Sequence, residues 1–142
     1  LLFVSYRRFK ETLISLIPIA LTVFALIGFI AATGIHLSLI TAIVSSIVIG
    51  VGIDYTIHFF AAIDYARPEG PGYVLRAIDR AGRPIVANAL GIALASTALW
   101  LSPLLPHSQI SMILWFSMVV AALTALTLIP ALLPRDGVAE YR

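Results

Sequence analysis

Two long stretches of the chain, 12–53 and 84–134, contain no charged residue. A bilayer core of about 30 Å takes about 20 helical residues, so each stretch is too long for one crossing. Each is expected to form a hairpin of two spans. Thr33-Gly34-Ile35-His36 breaks the first run, and Ser102-Pro103-Leu104-Leu105-Pro106-His107-Ser108 breaks the second. Gly and Pro punctuate helices, while Ser and His suit a membrane interface. The predicted spans are about 13–32, 37–63, 84–101 and 109–133. The second is long enough to tilt or to project beyond the bilayer.

Between the hairpins, Ala66-Arg67-Pro68-Glu69-Gly70-Pro71-Gly72 reads as a turn-rich linker. Residues 73–82 then show helical periodicity. Val74, Leu75, Ile78 and Ala81 share one face, and Arg76, Asp79, Arg80 and Arg83 share the other. The pattern predicts a short amphipathic helix on the membrane surface, ended by Gly82-Arg83-Pro84, with Pro84 in the first turn of the third span. Residues 1–11 begin apolar and turn basic, as the end of a preceding span would. Residues 135–142 form a charged tail. The chain opens on Leu rather than Met and is expected to be a piece of a longer protein.

Composition agrees with the pattern. Of the 142 residues, 61% are hydrophobic and 11% charged, against roughly 25% charged in a soluble domain. The expected fold class is all-α integral membrane. The nine basic residues fall before the first span (Arg7, Arg8, Lys10), between the second and third (Arg67, Arg76, Arg80, Arg83) and after the fourth (Arg135, Arg142). With four crossings they share one side, which the positive-inside rule assigns to the cytoplasm together with both termini. The expected location is the inner (cytoplasmic) membrane. A net charge of +2 held at membrane flanks excludes nucleic acid as a partner. The absence of cysteine excludes a disulfide framework, a thiolate metal site and a thiol nucleophile. The three histidines have no metal-ligand spacing, and no cofactor is expected.

Asp54 is the one formally charged residue well inside a predicted span. It lies ten residues before Asp64, about 15 Å along a helix, and so near mid-membrane. A carboxylate there costs several kcal/mol unless it is paired, hydrated or protonated. A proton that binds and leaves at that depth is the basic part of a proton-driven machine. Ser46, Gly50, Asp54 and His58 recur every fourth residue and form one stripe. His58 could pass a proton along the helix, and Tyr55 adds a hydroxyl on an adjacent face. Gly50 and Gly52 leave room for another helix to approach. Asn88, Gly91 and Ala95 form a small-residue stripe with one amide on the third span, with Asn88 near the level of His58. Each of these residues also has a packing reading, since small and hydroxylated residues are what tightly packed membrane helices use.

The segment Gly50-Val51-Gly52-Ile53-Asp54-Tyr55-Thr56-Ile57-His58-Phe59 resembles the fourth transmembrane helix of a repeat half in the resistance–nodulation–division (RND) superfamily. Within that superfamily it looks like the exporters with an MMPL-type or sterol-sensing-like membrane domain. Arg76-Ala77-Ile78, Gly82-Arg83-Pro84-Ile85 and Asn88-Ala89-Leu90 are similar to the connector into the fifth helix. Leu128-Ile129-Pro130-Ala131-Leu132-Leu133 is similar to the end of the sixth. The resemblance implies the end of helix two and helices three to six of one half, with 12–134 as the membrane domain. It implies that Asp54, with Tyr55 as companion, takes part in proton translocation that drives export of lipids or other hydrophobic or amphipathic molecules. The partners it implies are membrane lipids, the substrate, and the remainder of the parent, namely its porter domains and second half. A further copy of the same protein is another candidate partner.

Two other readings compete. A sterol- or lipid-sensing module would share the helices without pumping. An intramembrane aspartyl protease would need Gly-x-Gly-Asp and a second Asp at matching depth. Here Ile53 separates Gly52 from Asp54, and Asp64 is about 15 Å away on the same helix, too far to share a water. No enzymatic activity is expected.

Overall fold

The computed structural model describes residues 9–36 and 38–133, the first five of them as backbone only. Of the expected end of a preceding span at 1–11, residues 1–8 lie outside the described residues and 9–11 belong to the first helix; the tail at 135–142 also lies outside them. So do Arg7, Arg8, Arg135 and Arg142. The rest is helical: α1 (Phe9–Thr33), α2 (Leu39–Ala66), α3 (Tyr73–Ser96) and α4 (Leu105–Leu132), with 3-10 turns at Arg67–Glu69 and Thr97–Leu101. Among the described residues, four helices are long and apolar enough to cross a membrane. They form the two expected hairpins.

The hairpin tips follow from local chemistry. Gly34 adopts φ +68°, the left-handed conformation that ends a helix most cheaply at glycine. Ser38 then caps α2, accepting from the Thr41 N–H at 3.3 Å, while the Thr41 hydroxyl accepts from the Ser38 N–H at 2.7 Å. The 28 residues of α2 span about 42 Å, longer than a bilayer core is thick. α4 begins at Leu105, earlier than expected, because Pro106 fits a helix's first turn and Pro103 lies outside it.

One expectation fails. The surface helix at 73–82 and the span from 84 are a single helix, α3, with Pro84 in its interior. Pro84 removes one backbone hydrogen bond, to the Arg80 carbonyl. Continuity is favoured because the apolar face of the supposed surface helix is buried. Val74, Ala77, Ala81 and Gly82 pack into the same core as Ile85, Ala89 and Ala93. The periodicity at 73–82 therefore marks a face turned to other helices rather than to lipid.

α4 is the central element and touches α1, α2 and α3; α2 also packs on α1 and α3. Small residues allow this. Ser111, Ser117, Ala121, Ala122 and Ala125 are buried on α4, with Ile113, Met118 and Ile129 filling the space between helices. Thr22 of α1 and Thr124 of α4 share a hydrogen bond at 3.1 Å, and Phe29 stacks on Phe116 with centroids 4.3 Å apart. Trp115 donates to Thr97 at 3.1 Å.

At the end of the bundle that carries Arg67, Arg76, Arg80 and Arg83, the linker is tied to α3. Glu69 pairs with Arg76 at 3.1 Å and Arg80 at 2.9 Å. Arg76 also donates to the carbonyls of Gly70 (2.7 Å) and Pro71 (2.9 Å). The Arg80 guanidinium lies 5.0 Å from the Tyr65 ring centre.

Candidate functional site

The site is set by the rotation of α2. Adjacent helical residues point about 100° apart. Tyr55, Thr56, Phe59 and Phe60 therefore turn into the bundle, while Asp54 and His58 turn out of it. Asp54 is the sixteenth residue of α2, about 22 Å from Leu39 and about 18 Å from Ala66, and so close to the helix centre. Its carboxylate makes no hydrogen bond or ion pair among the described residues, and it is exposed.

The stripe expected from the four-residue spacing is present. Ser46, Gly50, Asp54 and His58 are all exposed on one face of α2. Ser46 satisfies its hydroxyl on its own helix, donating to the Ala42 carbonyl at 3.1 Å. Apart from the neighbouring residues and the helix's own nearby backbone, no described atom lies within 4 Å of a Cβ built on Gly50, Gly52 or Gly91. Gly50 and Gly91 face outward, so a close helix approach there can only come from outside the described residues. Gly52 is buried, and its carbonyl accepts from the Thr56 hydroxyl at 2.9 Å.

Tyr55 is held by two other helices. It is 2% exposed. The Asn88 amide of α3 donates to its hydroxyl at 3.4 Å, and that hydroxyl lies 3.8 Å from the Met118 sulfur of α4. Sequence reasoning named Tyr55 and Asn88 but missed Met118, since an apolar residue in an apolar helix gives no signal of a polar contact.

The structure brings Tyr55, His58 and Asn88 onto one cleft between α2 and α3, of about 360 Å³. Ala62, Tyr65, Arg80, Ala81, Pro84 and Ile85 complete its wall. Arg80 was legible as a flanking residue, but its place at the cleft depends on α3 being continuous; Tyr65 was not singled out in the sequence. Asp54 stands next to this cleft, one turn from His58 on the same stripe. Among the described residues no group of His, Asp and Glu could hold a metal ion.

Comparison with known proteins identifies the family. A membrane protein of Methanocaldococcus jannaschii is 26% identical over 136 residues, which cover 94% of this chain and 35% of that protein. Protein dispatched homolog 1 is 25% identical in Mus musculus and 24% in Homo sapiens, each over 111 residues. That match covers 78% of this chain and 7% of either relative, so the chain spans about a third or less of the relatives it matches. No solved structure is a significant match. The profile of the MMPL family matches residues 1–139, nearly end to end. Four membrane-length helices, the Gly-x-Gly-x-Asp-Tyr segment at the centre of α2 and this match together place the chain in the MMPL family.

Proposed function

We propose that the chain is the coupling part of a proton-driven RND-type exporter of lipids or other hydrophobic or amphipathic molecules, seated in the inner membrane. Asp54 takes up and releases the proton, assisted by Tyr55 and His58. One observation carries this reading: a carboxylate at the centre of α2, exposed and without a partner in its own four-helix unit. Such a group facing hydrocarbon costs several kcal/mol, so in the intact protein its face is covered or hydrated.

The cover is the remainder of the parent, whose second half packs on the Ser46, Gly50, Asp54, Gly91 surface. Gly50 and Gly91 leave that surface open for a close helix. The basic end of the bundle faces the cytoplasm. Substrate handling lies in the porter domains of the parent, and this segment supplies the energy coupling. The reading includes no bond-making step. The nearest acid on α2, Asp64, pairs with Arg67 at 3.1 Å and lies about 15 Å along the helix from Asp54.

The test is Asp54→Asn in the intact parent, which removes the titrating proton and keeps the side-chain shape. Export is expected to be lost while membrane insertion and protein level stay normal. Undiminished export overturns the coupling role and leaves the lipid-sensing alternative as the better account.

A further inference from the structure

On the side of α3 that meets α4, Ile78, Gly82, Val86, Ala87 and Leu90 of α3 and Leu126 of α4 line a groove of about 560 Å³. Its floor lies low because Gly82 brings no side chain, and a Cβ there would stand 3.9 Å from Leu126. Asp79 marks one end and Leu90 the other, about 16 Å along the helix, close to the roughly 15 Å of hydrocarbon in one leaflet. The groove faces away from the coupling surface. Asn88 touches Tyr55 of α2. Leu90 lies about 200° round the helix from Asn88 and Arg83 about 140°, whereas Gly91 is about 60° away. A helix packed on Asp54 and Gly91 is therefore on the other side of α3 from this groove.

Asp79 and Arg83 stand at the basic end of the groove as an open pair. Arg83 Nη2 and Asp79 Oδ1 are 4.0 Å apart, and the two side chains are 89% and 79% exposed. That separation gives attraction without a hydrogen bond, so neither charge is satisfied by the other. Arg76 and Arg80 differ, since Glu69 holds both. Helical side chains lean toward the N-terminus of their helix, which for α3 is the basic end. The contact with Asp79 shows that Arg83 does so. Its guanidinium is thereby carried to the level of Asp79, about 14 Å along α3 from Asn88. Asn88 bonds Tyr55, the neighbour of Asp54 at the centre of α2. Half a bilayer core is about 15 Å, so the pair stands at the depth of phospholipid headgroups.

We propose that this groove holds one phospholipid with a primary-ammonium headgroup, drawn from the leaflet at the basic end. Its phosphate sits on Arg83, its ammonium on Asp79, and one acyl chain lies along Gly82, Val86 and Leu90. Charge selects the occupant. A positive and a negative group side by side match a zwitterion. A headgroup with net negative charge would meet the Asp79 carboxylate. A choline headgroup has no N–H to donate to that carboxylate, and so forfeits a charge-assisted hydrogen bond. An apolar helix in the groove would leave both charges unsatisfied. A lipid seated there bridges α3 and α4 from outside the bundle. The site rests neither on the proton role of Asp54 nor on what the parent exports.

The test places the intact parent in phosphatidylcholine nanodiscs with a trace of phosphatidylethanolamine that carries a photoactivatable diazirine on its acyl chain. Irradiation is expected to label the peptides that carry 78–90 and Leu126 well above the peptide that carries Phe24, an exposed residue of the bare apolar face of α1. Excess unlabelled phosphatidylethanolamine should remove this labelling, and the same excess of phosphatidylcholine or phosphatidylglycerol should not. Arg83→Gln and Asp79→Asn should each lower it by about tenfold, the worth of one charge-assisted hydrogen bond. Ala87→Phe fills the groove from an exposed position and should lower it as much with both charges intact, which guards against a headgroup variant that fails to fold. Equal competition by phosphatidylcholine, stronger competition by phosphatidylglycerol, equal labelling of the groove and Phe24, or labelling unchanged in the three variants each overturn the site. So does a groove left unlabelled, the result if another segment of the parent covers it. Export is not measured, so this site and the coupling role of Asp54 stand or fall separately.

Discussion

Asp54 and Tyr55 are neighbours in sequence and opposites in environment, and the pair gives a sharp test of the packing. Tyr55 is 2% exposed and wedged between α3 and α4. Removing such an aromatic leaves a cavity that the surrounding helices fill only in part. Tyr55→Ala is expected to destabilise the fold by about 3–5 kcal/mol, the range for truncating a core aromatic. Asp54 is exposed and makes no hydrogen bond among the described residues, so Asp54→Leu creates no cavity and breaks no bond. Its effect on unfolding of the 142-residue chain should stay within about 0.5 kcal/mol. Insertion is another matter. Replacing Asp by Leu at a helix centre should favour membrane insertion of α2 by about 3–4 kcal/mol. Equilibrium unfolding in mixed detergent micelles reads the first quantity, and glycosylation mapping of α2 in a host protein reads the second. The reasoning is refuted if Asp54→Leu loses more than about 2 kcal/mol of fold stability, or if Tyr55→Ala loses less than about 1 kcal/mol.

Two further outcomes follow from the geometry. The Thr22–Thr124 bond ties α1 to α4, and Thr22 keeps a second bond to the Pro18 carbonyl at 2.8 Å. A double-mutant cycle with Thr22→Val and Thr124→Val should give a coupling of about 0.6 kcal/mol, and no coupling in micelle unfolding would remove this contact from the α1–α4 interface. Gly34 sits at φ +68°, so Gly34→Val should cost about 1–2 kcal/mol through backbone strain, although a Cβ there meets no atom within 4 Å. Gly34→Asn, which tolerates that conformation, should recover most of the loss in the same assay.

The elements were legible because lipid imposes a simple code. Uncharged runs, Gly and Pro breaks and clustered arginines set four spans and two hairpins before any packing is known. Asp54 stood out for the same reason, since an acid at that depth has no cheap place to be. The cleft was hidden. It needs the rotation of α2 against α3, and the sequence around Gly82-Arg83-Pro84 reads as a stop by local propensity. Burial of Val74, Ala77 and Ala81 outweighs that preference. The partnership of Tyr55 with Met118 was hidden too, because the periodicity of α4 is smeared by its being packed on several sides.

The unbroken course of α3 has a mechanical consequence. A joint at Gly82–Pro84 would have absorbed any movement of the loop and left the rest of the helix still. As one rod, α3 carries Arg76 and Arg80, which Glu69 grips, and Asn88, about 12 Å further on from Arg80, which touches the Tyr55 hydroxyl. A push on the arginines is thus also a pull on the amide at the Tyr55 hydroxyl, and tilting this lever by a few degrees at its outer end is enough to make or break a hydrogen bond already stretched to 3.4 Å.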